Sequence, residues 1–174
     1  MSSPVGRTEF AGPLRVATRR VFRLRWKMNR TTFLVDGFNV YHSARSASQD
    51  LGGASTKWLD LKSLLSSFLP VIGAGAILAE IYYFSAIATH LGRDRPGVPL
   101  RHRVYLDALM ASGVIPVMGR FKRKTVHCRH CSTAKLHHEE KETDVAISMK
   151  LIELFAMDQA DTVVLVSGDT DWPP

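Results

Sequence analysis

The stretch Asp161-Thr-Val-Val-Leu-Val-Ser-Gly-Asp-Thr-Asp171 decides the fold. Its apolar, β-branched run, Val163 to Val166, is closed by Ser167-Gly168. A strand buried on both faces reads this way when it ends in a tight turn. Two carboxylates, Asp169 and Asp171, follow at once. In an open α/β sheet, chemistry sits just beyond the carboxyl ends of the strands. Thr32-Phe-Leu-Val-Asp36-Gly-Phe-Asn39 has the same layout: an apolar strand, an Asp, then Gly and Asn in the turn. Two strands that deliver acids to one edge gather charge that repels itself. Such a cluster calls for a cation, and with all-oxygen ligands the usual one is Mg²⁺ or Mn²⁺.

Working outward, the pattern predicts a first strand over 32–36, a polar loop over 43–57 and a helix over 59–69 that ends at Pro70. A second strand is expected over 77–84, a loop over 93–99, and a helix over 100–112 closed by Gly113 as its C-cap. A third strand, 114–118, runs into the basic Arg120-Phe-Lys-Arg-Lys124, and residues 125–141 read as irregular. The helix expected over 144–157 is apolar on most sides, so it is expected to be largely buried. Val71-Ile-Gly-Ala-Gly-Ala imitates a dinucleotide-binding fingerprint, but the run before it is helical, the run after it is a strand, and Leu78 stands where the third glycine belongs. The order β-α-β-α-β-α-β points to an α/β fold: a right-handed, parallel, three-layer sheet.

With 174 residues, 45% of them apolar, the chain suits one domain, or one domain and a tail. No apolar run approaches the length of a membrane span. The net charge of +7 invites a nucleic-acid reading, but it lies wholly at the start. Residues 1–30 carry eight Arg and Lys against one Glu, and the remainder carries fifteen of each sign. Only local patches therefore bear on binding by the folded part. Residues 1–29 are expected to be a disordered basic tail, with an over-long gene start ahead of Met28 as part of that reading. An organelle transit peptide and an RNA-binding arm are the competing readings. Two cysteines three residues apart make no disulfide framework and favour a reducing, cytoplasmic setting; the Arg-rich start keeps organelle targeting as the alternative.

Asp144 stands at the start of the 144–157 helix, behind Thr143 as an expected N-cap, where the helix dipole favours a carboxylate. Alone it is an ordinary capping-region acid. With Asp36, Asp169 and Asp171 it makes four acids, each at a strand end or helix start of one sheet. Val35-Asp-Gly-Phe-Asn39, Glu139-Glu-Lys-Glu-Thr-Asp-Val145 and Leu165-Val-Ser-Gly-Asp-Thr-Asp171 resemble, in order, the three signature segments of NYN domains of the LabA-like type, within the PIN-like metal-dependent nuclease superfamily. Tyr82-Tyr-Phe-Ser85 and Gly119-Arg-Phe-Lys122 fit the same pattern. The resemblance runs from about Thr31 to the end of the chain. It implies a Rossmann-like sheet, an acidic Mg²⁺ or Mn²⁺ site and hydrolysis of RNA. It places metal-binding or catalytic roles on Asp36, Asp144, Asp169 and Asp171, with Asn39 and Ser167 as supporting polar groups.

The basic run Arg120, Lys122, Arg123 and Lys124, with Arg129, is a candidate RNA-backbone contact, and Phe121 a candidate base-stacking group. The competing reading is a solvated strand edge protected by charge. Cys128 and Cys131 are half of a structural zinc site that His137 and His138 could complete, or two plain reduced thiols. Three functions are weighed. The first is a metal-dependent ribonuclease. The second is a non-catalytic RNA-binding or regulatory module on the same fold. The third is a haloacid-dehalogenase-type phosphatase, which needs Asp-x-Asp on the first strand where this chain has Asp36-Gly-Phe-Asn39. Finally, only Trp172-Pro-Pro174 follows Asp171, and Pro-Pro neither continues a helix nor donates to a ladder. The resemblance implies a further helix and strand beyond this segment, so residues 30–174 are expected to be a truncated NYN/PIN-like domain without its last helix and strand. Its 163–166 strand is then expected to be short of cover on one face and at an edge. The competing reading is that residues 1–29 fold back to supply the helix.

Overall fold

A computed structural model of the protein describes residues 28–127 and 133–168. Its centre is a parallel sheet of β1 (Asn29–Asp36), β2 (Ala76–Ser85), β3 (Ile115–Met118) and β6 (Thr162–Val166), in the order β3-β2-β1-β6. Helices α1 (Gly37–Asp50), α2 (Leu61–Ser66), α3 (Leu69–Ile72), α4 (Gly97–Ala111) and α5 (Thr143–Ala156) flank it. A 3₁₀ turn at Thr89–Gly92 precedes α4. β4 (Arg120–His127) and β5 (Ala134–Lys141) pair antiparallel as a separate hairpin. The fold is the expected α/β class with a parallel sheet.

β1 is the axis of the molecule, and Thr31 to Asp36 are all buried. Successive strand residues point to opposite faces. Phe33 and Val35 enter one core with Leu61, Leu65, Ile81, Tyr83, Leu106 and Leu109; Leu34 enters the other with Phe84, Ile147 and Leu154. At the amino edge, Arg30 Nε holds Asp161 Oδ2 at 2.9 Å and pins β1 to the start of β6. Behind α4, Gly113 adopts φ +88 and closes the helix as expected, its amide bonding Met110 and that of Val114 bonding Leu109.

The structure departs from the expected elements in five places. The first turns of the expected 43–57 loop are helix α1. Its outer face mixes polar residues with the exposed rings of Phe38 and Tyr41, and Val40 is the apolar side chain that it packs on the core, so periodicity carries almost no signal. The expected 59–69 helix is two pieces. α2 is capped by Asp60, whose Oδ1 and Oδ2 take the amide and hydroxyl of Ser63 at 2.9 and 2.6 Å. Pro70 then lies in the first turn of α3, where its missing N–H costs nothing. The expected irregular run 125–141 is largely the β4–β5 hairpin, whose polar, charged strands lack the apolar alternation that marks a half-buried sheet. Thr143 is not the cap of α5; Glu142 holds that place at φ +79, with its side chain turned to Lys122. Lastly, α5 is less buried than expected and leaves Val145, Met149, Ile152 and Phe155 exposed; β6, at the edge of the sheet among the described residues, is half-buried. An apolar run records what a residue prefers, not how many neighbours the topology supplies.

Candidate active site

All four strands of the sheet point the same way, so their carboxyl ends share one edge. Asp36 closes β1 there, only 6% exposed, with extended backbone. It shares the strand parity of Leu34, which places it on the α5 side of the sheet. Its carboxylate caps α1: Oδ1 accepts the Asn39 amide at 3.0 Å and Oδ2 accepts Asn39 Nδ2 at 2.8 Å. The same Nδ2 lies 3.3 Å from Ser167 Oγ at the end of β6. Asp36, Asn39 and Ser167 are thus one hydrogen-bonded unit that joins two strand ends and a helix start. The two polar groups expected to support Asp36 do touch it or its partner.

Gly37 makes that cap possible. A Cβ there would lie 2.5 Å from Tyr83 Cζ and 2.6 Å from the Phe84 carbonyl oxygen. Tyr83 Oη in turn donates to the Gly37 carbonyl at 3.2 Å. Glycine lets the first turn of α1 seat directly on β2, and the seat fixes where Asp36 points.

Asp144 lies in the first turn of α5, exposed, and its carboxylate accepts no hydrogen bond among the described residues. α5 starts at the carboxyl edge because the hairpin that feeds it leaves from β3, where the Gly119 amide bonds the Ser85 carbonyl at 2.8 Å. Lys122 of β4 reaches Glu142 Oε1 at 2.6 Å and holds that carboxyl below its usual range. This ion pair ties the basic strand to the residues just ahead of Asp144. Arg120, Lys122, Arg123 and Lys124 all lie on β4, and Lys122 to Lys124 are exposed. Phe121 is half-buried, edge-on to the His90 ring at 4.9 Å. His137 and His138 are paired in β5 with Lys124 and Arg123. Asp169, Asp171, Cys128, Arg129 and Cys131 lie outside the described residues.

Among the described residues no three His, Cys, Asp or Glu side chains gather as a metal site. The donors that are present fit a hard cation. They are carboxylate and hydroxyl oxygens, and each oxygen of Asp36 has capacity beyond its one bond to Asn39.

One pair at this edge went unread in the sequence. Ser85, 6% exposed at the end of β2, lies 3.2 Å from His102 Nε2 on α4. Burial holds the imidazole below its ordinary pKa, which favours the neutral ring. A strand-end Ser and a helical His 17 residues further on carry no spacing signal.

A parallel sheet flanked by helices, with a buried, helix-capping Asp at its carboxyl edge, defines the class: a PIN-like α/β fold. The NYN domain family matches residues 30–174, and the chain belongs to that family. It is also similar to the 6-hydroxy-3-succinoylpyridine 3-monooxygenase of Pseudomonas putida, 29% identical over 175 residues, 83% of this chain and 54% of that protein. The chain therefore spans about half the length of that curated relative. No solved structure matches it significantly.

Proposed function

We propose that the protein is a divalent-metal-dependent ribonuclease whose site is built on Asp36. The observation that carries this reading is the buried carboxylate of Asp36, oriented through both oxygens by Asn39 and set at the carboxyl edge of an NYN domain. Asp36 and Asp144, with Asp169 and Asp171, would hold Mg²⁺ or Mn²⁺. When bound, the cation supplies Lewis acidity at the scissile phosphate and lowers the pKa of a water. Asn39 keeps the Asp36 carboxylate from rotating, and Ser167 braces Asn39. Arg120, Lys122, Arg123 and Lys124 of β4, with Arg129, would hold the phosphate backbone beside this edge. We also propose that Cys128 and Cys131 take part in a structural zinc site that one of His137 and His138 could join, with two plain reduced thiols as the alternative.

The test is cleavage of labelled single-stranded RNA with Mn²⁺, Mg²⁺ or EDTA, beside Asp36→Asn. Cleavage should need the metal and vanish in the variant. RNA binding without cleavage under any divalent ion would replace the enzyme with a non-catalytic RNA-binding module. The name of the similar Pseudomonas protein supplies a second reading. Hydroxylation of 6-hydroxy-3-succinoylpyridine, with oxygen and a two-electron reductant but no RNA cleavage, would favour it.

A further inference from the structure

α1 turns its largest side chains to water. Its inner side is small: Gly37 is buried, and Val40 and Ala44 are partly so. Phe38 and Tyr41 are 54% and 58% exposed, and His42 and Arg45 are exposed beside them. Positions 38, 41, 42 and 45 are spaced i, i+3, i+4, i+7, which puts them on one stripe of the helix. The rings touch. The His42 imidazole meets Phe38 edge-on at 4.4 Å between centroids and Tyr41 at 5.3 Å. A ring left in water forgoes the burial that usually decides its place. The stripe begins two residues after Asp36 and one before Asn39, so it is continuous with the candidate active site.

We propose that Phe38, Tyr41, His42 and Arg45 form a stacking platform for the unpaired bases of single-stranded RNA, leading the strand onto the Asp36 edge. The proposal rests on RNA as the substrate and goes further in choosing its form. Every base has a π face that an aromatic ring can stack on, whatever the sequence. Arg45 adds the cation that a phosphate or a base face needs, and a purely apolar partner would have no use for it. From 38 to 45 the stripe is about 10 Å long, the reach of two or three stacked bases. In a duplex those faces are already covered by neighbouring bases, so the platform selects unpaired nucleotides.

The experiment measures binding of a fluorescent single-stranded RNA, and of a duplex of the same sequence, by the full chain in EDTA, where cleavage is off. Phe38→Ala and Tyr41→Ala should each weaken single-strand binding about tenfold. Duplex binding and melting temperature should stay unchanged. Tyr41→Phe should bind as the wild type does, and Tyr41→Leu, apolar but without a ring, should bind as Tyr41→Ala does. With metal present, the alanine variants should raise KM and leave kcat alone. Unchanged single-strand affinity in both alanine variants overturns the platform. So does equal loss for single strand and duplex, or a Tyr41→Leu protein that binds normally. A wild type with no preference for single strands also overturns it and turns the stripe into a protein-docking face. The two readings fail separately. If no divalent ion supports cleavage but the ring variants lose binding, the platform stands and the ribonuclease falls. If the wild type cleaves and the variants keep its KM, the platform falls and the ribonuclease stands.

Discussion

β1 and β6 lie side by side in register, from Thr31 against Thr162 to Val35 against Val166, and their sequences are close relatives: Thr-Thr-Phe-Leu-Val and Thr-Val-Val-Leu-Val. Their surroundings differ. Every residue of β1 in that span is buried, whereas Leu165 of β6 is 37% exposed and its neighbours are half-buried. Among the described residues β1 has a strand on each side and β6 has one. Burial here is set by place in the sheet, not by composition. The site follows the same division: the described carboxylate that is tightly held, Asp36, ends the enclosed strand.

The strongest way to break that comparison is to cut matching residues from the two strands. Phe33→Ala should cost about 3–5 kcal/mol, because a 1%-exposed aromatic leaves a cavity between β1, α2 and α4. Leu165→Ala should cost about 1 kcal/mol or less, since part of that side chain is already in water. Urea midpoints with unchanged slopes measure both. Similar costs would mean that β6 is as enclosed as β1.

Next in size is the seat of α1 on β2. Gly37→Ala pushes a methyl group to 2.6 Å from a backbone oxygen that cannot step aside. Overpacking of this kind costs about 1–3 kcal/mol, and the shift would also move the Asp36 cap. The melting temperature should fall, and metal-dependent cleavage should fall by more than the loss of folded protein explains. A variant with normal stability and normal activity would show that the seat does not position Asp36.

These two sites also show what the sequence could and could not display. The position of Asp36 was legible because it ends an apolar strand, and a parallel sheet brings such ends together; Asn39 and Ser167 were singled out through the resemblance to NYN domains. The Asp144 position was legible from the helix that it opens. α1 was not, because a helix that packs little more than Val40 on the core shows almost no 3.6-residue apolar period. The hairpin was missed for the related reason that its strands are charged on both faces. The Ser85–His102 pair depends on how α4 lies across β2, which no local pattern encodes. The edge position of β6 depends on chain topology, and a β-branched run reads alike at edge and centre.

A smaller effect should appear in the pH dependence of stability. Burial lowers the His102 pKa from its ordinary 6.5 in the folded protein. Above about 6.5 the ring is neutral in both states and no stability is lost. As the pH falls below that value, the unfolded chain takes up the proton first and the folded protein loses stability, until the folded pKa is passed. His102→Gln keeps a polar partner for Ser85 and should flatten the slope of unfolding free energy as the pH falls below 6.5. An unchanged slope would show that the imidazole titrates as freely folded as unfolded.

The smallest expected effect is that of Ile152→Lys on α5, where one helix repeats the contrast between the strands. Ile147 is 1% exposed and packs against the sheet; Ile152, one and a half turns on, is 61% exposed on the outer stripe with Val145 and Met149. Ile147→Ala should cost about 2–5 kcal/mol. Ile152→Lys should change stability by no more than about 0.5 kcal/mol, because the side chain has little burial to lose and lysine is a good helix former. Its consequence should lie elsewhere. An uncovered apolar stripe favours association between molecules, so the charge should lower the apparent mass at high concentration while leaving the urea midpoint in place. Sedimentation and denaturation on the same preparations separate the two. If Ile152→Lys instead costs more than about 1 kcal/mol, the outer face of α5 is covered in the folded protein, and its likeness to the open edge at β6 fails.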